Sequence, residues 1–112
     1  MKEGSIVMVA FHQQDGIVKK RPALVLKVNQ PYSDILACAI SSKLHNYIEG
    51  IDYILKNNSE NFNETGLKHN MLIRTSFIET FSKDNHITGV IGEVSQNVYN
   101  SVIENIINYL KS

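Results

Sequence analysis

The 112-residue chain lacks several features that would place it in a specialised class of proteins. Its single cysteine, Cys38, cannot form an internal disulfide. No apolar run approaches the roughly 18 residues that a membrane-spanning helix needs, and the first residues have no signal-peptide layout. Charged residues make up 20% of the chain and hydrophobic residues 43%, a balance that argues against a disordered chain. These absences predict a folded cytoplasmic protein with no membrane partner.

The sequence also lacks the patterns of common metal and nucleotide sites. Its four histidines lie far apart along the chain, and Cys38 has no second cysteine with which to form a C-x-x-C pair. Neither a glycine-rich phosphate loop nor a dinucleotide-binding fingerprint occurs. We therefore expect no metal and no cofactor.

Net charge is absent as well, although its distribution along the chain is uneven. Eleven basic residues balance eleven acidic ones, which at first argues against a nucleic-acid partner. Residues 1–43 carry six basic and three acidic groups, however, whereas residues 44–112 carry five and eight. The first part is therefore basic and includes the adjacent cations Lys19, Lys20 and Arg21. On charge alone, a solvated turn is the favoured interpretation of these cations.

Short apolar runs predict a mainly β fold. The segments predicted as strands are 6–11, 23–28, 34–40, 51–55, 71–78 and 87–94. Pro22 fixes its own φ and favours extended geometry at Arg21, so the second strand should begin here with Arg21 at its entrance. Residues 56–66 are rich in Asn, Ser and Glu and are predicted to form an exposed loop.

The end of the chain has a different periodicity, which predicts one amphipathic helix. The apolar positions recur at helical spacing, at Val98, Val102, Ile103, Ile106, Ile107 and Leu110. Ser95 is placed to cap the first turn of this helix. No internal repeat or linker divides the chain, so residues 1–112 are expected to form a single domain.

Five short segments carry blocks that match a known family in order and spacing. Residues 4–9 are GSIVMV, 20–26 are KRPALVL and 34–43 are DILACAISSK. Residues 66–76 are GLKHNMLIRTS and 91–95 are IGEVS. They resemble the blocks G-D-I-V-x-V, R-R-P-A-L-V-[IL], x-V-[IL]-x-A-P-I-T-S-K, G-L-x-x-x-S-V-V-R-x-D and I-G-x-L-S of the MazF/PemK-like toxins of bacterial toxin–antitoxin systems.

This resemblance implies an SH3-like β-barrel with a C-terminal helix. It implies a homodimer that acts as a metal-independent endoribonuclease on single-stranded RNA and is neutralised by a cognate antitoxin protein. Such chemistry is physically plausible without a cofactor, because RNA carries its own nucleophile, the 2′-hydroxyl. A protein can cleave RNA by aligning that oxygen with the adjacent phosphate and stabilising the added negative charge.

The resemblance assigns catalytic roles to Arg21 and Ser41. Arg21 matches the catalytic Arg that precedes Pro in the family, and its planar fork can hold two phosphate oxygens at any working pH. Ser41 stands where the family usually has a Thr whose hydroxyl contacts the reacting ribose-phosphate unit. Serine keeps that hydroxyl.

A second set of residues is expected to bind the substrate. Its members are His12, Lys20, Ser42, Lys43, Arg74 and Ser76. The cations would contact phosphate, and His12 could shuttle protons near neutral pH. Ser76 replaces an Asp that serves as general base in some family members, and a neutral Ser cannot take that role at pH 7. Two hypotheses therefore stay open: an endoribonuclease, and a catalytically impaired module that binds RNA or a protein partner without cleavage.

Overall fold

The computed structural model describes residues 1–12, 15–29 and 31–112, with the backbone alone at residues 11 and 12. Its strands are β1 (Ser5–His12), β2 (Val18–Asn29), β3 (Asp34–Ser41), β4 (Tyr53–Leu55), β5 (Met71–Ser82) and β6 (Ile87–Glu93). The α-helix is α1 (Gln96–Lys111), and short 3-10 helices span Leu44–Asn46 and Phe62–Thr65.

The strands form one antiparallel sheet in the order β4-β5-β3-β2-β1-β6. The predicted mainly β fold with a C-terminal helix is confirmed. In the described part of the chain, no ladder joins β4 to β6, so the SH3-like barrel takes the form of a sheet with two edges.

Both faces of the central strands are buried, which explains their continuous apolar runs. Successive side chains of a strand point to opposite faces. Leu24 and Leu26 accordingly belong to a core that also contains residues of α1, whereas Ala23 and Val25 belong to a second core on the other face. Because each face is covered, β2 and β3 carry apolar residues at successive positions rather than at alternate ones.

The C-terminal helix begins as the sequence predicts. The Val98 N–H donates to the Ser95 side-chain oxygen at 3.2 Å, which makes Ser95 the N-cap. Val98, Val102 and Ile106 are buried against the sheet. In the last turns, Ile107 and Leu110 also fit the helical spacing but are exposed.

The segment predicted as an exposed loop is folded in its second half. Phe62 and Thr65 are buried in the 3-10 helix that packs on β6. The packing is close enough that a Cβ built on Gly92 would lie 2.3 Å from the Glu64 carbonyl oxygen. A Cβ on Gly66 would lie 2.1 Å from the Ile91 carbonyl oxygen. The prediction was wrong here because only two of these residues are buried, too few to produce a periodic pattern.

Candidate active site

Pro22 determines where the ladder between β2 and β3 begins. This proline lies inside β2, opposite Met8, and the ladder with β1 continues on both sides of it. Proline has no N–H to donate, and the ladder between β2 and β3 starts only after it, at Ala23 and Ala39. Arg21 therefore lies inside β2, where it pairs with Val9 of β1, and not at the entrance of the strand as predicted. It does not take part in the ladder between β2 and β3.

The sheet register brings the predicted catalytic residues to one face. Ala39 lies opposite Ala23 of β2 and opposite Arg74 of β5, and directly opposed residues share a face. Arg21 and Ser41 lie two positions beyond Ala23 and Ala39, so alternation along each strand puts both side chains on that same face. This is the face of the second core, away from α1.

A cleft of about 360 Å³ lies where β2 and β3 separate. Its lining consists of Arg21, Ala39, Ile40, Ser41, Lys43, Asn46, Arg74 and Phe77. The structure thus brings together four of the sequence-predicted site residues, both of the proposed catalytic ones among them. Lys20, Ser42 and Ser76 lie outside this lining, and the side chain of His12 lies outside the described part of the chain.

Ser41 is oriented by its own turn. Its side-chain oxygen accepts a hydrogen bond from the Lys43 N–H at 3.1 Å, an ST-turn that ties the end of β3 to the residues that follow. Because the oxygen is the acceptor in this bond, the hydroxyl hydrogen can be donated to another group. Ser41 is half-buried, so its hydroxyl is held at the margin of the cleft.

An irregularity in β5 places Arg74 and Phe77 in the cleft together. Arg74 pairs with Ala39 and Ile78 pairs with the adjacent Cys38, so residues 75–77 are extra on β5. Such a bulge re-aims the side chains on either side of it. The Arg74 guanidinium carbon lies 5.6 Å from the centroid of the Phe77 ring, within cation–π range.

Sequence reasoning missed Phe77, Asn46, Ala39 and Ile40 as lining residues. Regular alternation along 74–78 would put Ser76 beside Arg74 on the cleft face, whereas the bulge puts Phe77 there. The 41% exposure of Phe77, in a strand otherwise rich in buried residues, is a property of the folded strand, so no local sequence signal marks this residue.

The cleft is electropositive although the whole chain is neutral. Arg21, Lys43 and Arg74 contribute three cations, and no Asp or Glu is among the described lining residues. Three cations on a concave surface can hold a phosphate and stabilise charge that develops on it. The neighbouring thiol of Cys38 takes no part, because its burial in the core raises its pKa to about 12.

Within residues 1–12, 15–29 and 31–112, no group of three or more His, Cys, Asp or Glu side chains is arranged to hold a metal ion. In the same ranges, no helix combines the length and the apolar character needed to cross a membrane.

Solved structures with the same fold are found among toxins. An endoribonuclease in complex with its cognate antitoxin from a mycobacterial species superposes with a TM-score of 0.76 at 15% identity, covering 99% of this chain and 95% of that one. MazE–MazF from Deinococcus radiodurans (form II) superposes with a TM-score of 0.77 at 19% identity, covering 99% of this chain and 96% of that one. Mycobacterium tuberculosis toxin MazF-mt6 superposes with a TM-score of 0.66 at 16% identity, covering 93% of this chain and 96% of that one. At these identities the likeness establishes the fold.

The family follows from a match to the sequence itself. A sequence search of curated proteins gave no match. The family model described as the PemK-like, MazF-like toxin of type II toxin-antitoxin systems, by contrast, matches residues 2–110. The chain therefore belongs to the PemK-like, MazF-like family of type II toxin–antitoxin toxins.

Proposed function

We propose that this chain, acting as a single domain over residues 1–112, is a metal-independent endoribonuclease toxin that cleaves single-stranded RNA at selected sequences. The observation that carries the proposal is the cleft in which Arg21, Ser41, Lys43 and Arg74 meet without an acidic neighbour among the described lining residues. An electropositive cleft with two guanidinium groups and a hydroxyl suits a phosphate that gains negative charge during reaction.

In the proposed reaction, the ribose 2′-oxygen attacks the adjacent phosphorus while the bond to the 5′-oxygen breaks. The products are a cyclic phosphate and a 5′-hydroxyl. Arg21 holds the non-bridging phosphate oxygens with its planar fork, and Arg74 adds a second positive charge. The Ser41 hydroxyl donates to the reacting ribose-phosphate unit, since its oxygen already accepts from the Lys43 N–H.

The described lining of the cleft contains few groups that could assist proton transfer. No carboxylate or histidine is among its described lining residues, so the proton of the 2′-hydroxyl passes to solvent base, and solvent supplies a proton to the departing 5′-oxygen. We therefore expect the cleavage rate to rise about tenfold per unit between about pH 6 and 8. A plateau near neutral pH would instead indicate a protein base, and a His12→Ala variant would then test whether this base is His12.

The biological setting is proposed from the family. A mycobacterial endoribonuclease of the same fold was solved with its cognate antitoxin, and MazE–MazF from Deinococcus radiodurans is another pair. We propose the same arrangement here: a cytoplasmic homodimer neutralised by a cognate antitoxin protein. Analytical ultracentrifugation of the purified chain, alone and with the product of a neighbouring gene, tests whether the chain is a dimer and whether it binds an antitoxin.

The direct test offers single-stranded RNA of many sequences to the purified protein in the presence of a chelator. Wild type should give products with a cyclic phosphate end. The Arg21→Ala variant should be slower by about 10² to 10³-fold. The matched control is Lys111→Ala, which removes a cation from α1 on the opposite side of the sheet and should cleave at the wild-type rate.

Two outcomes would overturn the proposal. One is equal cleavage by wild type and the Arg21→Ala variant, and the other is cleavage of a fully 2′-deoxy substrate, which has no 2′-oxygen to attack. Growth arrest on induction in a bacterial host, relieved by Arg21→Ala, would extend the result to cells.

A second candidate is a catalytically impaired module that binds RNA or a protein partner in the same cleft. The observation in its favour is Ser76, which replaces the Asp of the family motif and lies outside the cleft lining. Salt-sensitive RNA binding without any product would identify this function.

A further inference from the structure

The cleft contains one feature that phosphate chemistry does not use, the exposed ring of Phe77. This side chain is 41% exposed and is the one aromatic residue in the described cleft lining. The other lining groups are cationic, polar or aliphatic. A phosphate is held by the cations and gains nothing from an apolar ring, so the ring fits a different part of a ligand.

The position of the ring is determined by the bulge beneath it. Thr75, the first extra residue, is fully buried, and its hydroxyl donates to the Ile51 carbonyl. This bond ties the bulge to the residues that precede β4. On the strand side, Arg74 is fixed by its pairing with Ala39 and extends its guanidinium over the Phe77 ring. The ring is therefore positioned by the paired residues on either side of the bulge, by the hydrogen bond of the buried Thr75 and by the Arg74 cation.

We infer that Arg74 and Phe77 form a stacking subsite for one nucleobase. The base of a nucleotide next to the bound phosphate would stack on the Phe77 ring, whose centroid lies 5.6 Å from the Arg74 guanidinium carbon. Unpaired bases are commonly held on aromatic rings and on Arg planes. The flexible backbone of a single strand lets one base turn toward the ring while its phosphate stays with Arg21 and Lys43.

The size and charge of the cleft favour this ligand. About 360 Å³ is near the lower end of the range for small-molecule pockets, which suits one nucleotide unit rather than a longer segment. The three cations beside the ring favour an anionic ligand over a neutral apolar side chain. A nucleotide supplies both an anionic group and a flat apolar face.

This inference rests on the proposed function for its substrate class, single-stranded nucleic acid, but it does not require cleavage. Binding can therefore be measured with an oligonucleotide that lacks the 2′-oxygen. The probes are a 2′-deoxyuridine octamer and an abasic octamer with the same number of phosphates. Because both carry the same charge, a difference in their affinities isolates the contribution of the bases.

Wild type should bind the base-bearing octamer about 5- to 150-fold more tightly than the abasic octamer, the range expected for one stacked base. Phe77→Ala should remove most of this preference and leave the affinity for the abasic octamer unchanged within about twofold. Phe77→Tyr should keep the preference. The matched control is Tyr32→Ala, which removes an aromatic ring that is 78% exposed outside the cleft and should also keep it.

A spectroscopic readout uses the absence of tryptophan from the chain. In the Phe77→Trp variant the indole is the sole tryptophan, and its emission should be quenched by the base-bearing octamer and unaffected by the abasic one. Emission that is blue-shifted and unchanged by either octamer would mean that protein covers position 77, and it would overturn the inference.

The remaining outcomes separate this inference from the proposed function. A base preference that survives in Phe77→Ala, or no measurable binding of either octamer to wild type, overturns the stacking subsite even where RNA is cleaved. A base preference that depends on Phe77 supports the subsite even where no RNA is cleaved. In that last case the protein is the binding module rather than the nuclease.

Discussion

The hydroxyl of Thr75 offers a direct test of how the cleft is held in place. Thr75 is fully buried at the start of the β5 bulge and donates to the Ile51 carbonyl. Replacing Thr75 by valine keeps the shape of the side chain and removes the donor. The Ile51 carbonyl is then left without this partner in a half-buried position. We expect a loss of about 1 to 2 kcal/mol in the free energy of unfolding, within the range for an unsatisfied acceptor.

This loss can be converted into a melting temperature. An unfolding entropy of about 2.1 cal/mol/K per residue gives about 0.24 kcal/mol/K for 112 residues. The Thr75→Val variant should therefore melt about 4 to 8 °C below wild type in a circular dichroism scan. Loosening of the bulge should also weaken the base preference of octamer binding, because Arg74 directly precedes the bulge and Phe77 is its last residue.

The matched control is Thr88→Val. The Thr88 hydroxyl also donates to a backbone carbonyl, that of Met8 at 3.2 Å, but Thr88 is exposed. Water can replace this bond, so the change in unfolding free energy should stay within about 0.5 kcal/mol. Equal melting temperatures for the two variants would refute the reasoning, since burial would then add nothing to the contribution of the Thr75 hydroxyl.

Three further predictions concern packing, the buried thiol and the charge of the cleft. Gly92→Ala should lower the unfolding free energy by about 1 to 3 kcal/mol in urea, because its Cβ would meet backbone atoms at 2.3 Å; Gly89→Ala, with nothing within 4 Å of the new Cβ, should change it little. Burial raises the pKa of the Cys38 thiol from 9.0 to about 12, so this group contributes stability that is complete below pH 9 and is lost as pH rises toward 12. Unfolding free energies of Cys38→Ala should accordingly fall less steeply with alkaline pH, and iodoacetamide should label wild type only in denaturant. With three cleft cations, the logarithm of the RNA affinity should fall with the logarithm of salt at a slope of about −2, and a slope beyond about −4 would mean a wider binding surface.

The parts of the fold that the sequence predicts are those in which side chains carry the signal. Burial on both faces produces the apolar runs of the first three strands, and the helical spacing after Ser95 reflects a helix with one covered side. The extensions of β2 and β5 were missed because their residues are mostly polar. Lys19 and Lys20, for example, pair with β1 through the backbone while their side chains stay exposed.

The residues of the candidate site also include some that the sequence predicts and some that it does not. Arg21 and Ser41 could be predicted from family blocks and reach the cleft because the register of β2 and β3 is regular over the three pairs nearest to it, from Val25 to Ala23. Phe77 could not be predicted, because its position depends on a bulge whose hydrogen bond joins Thr75 to a residue 24 positions earlier. A contact at that separation leaves no trace in local periodicity. The same bulge undoes the assumption that Ser76 lies beside Arg74.

Pro22 has a consequence for how this protein could diverge from its relatives. The opening between β2 and β3 follows from one missing backbone donor, whereas the reactivity of the cleft follows from the side chains around it. Shape and chemistry are therefore encoded by different atoms. A lining residue can be exchanged, as Ser41 stands for Thr, without the two strands closing over the space. The scaffold can thus lose, change or regain a reaction while it continues to offer the same groove.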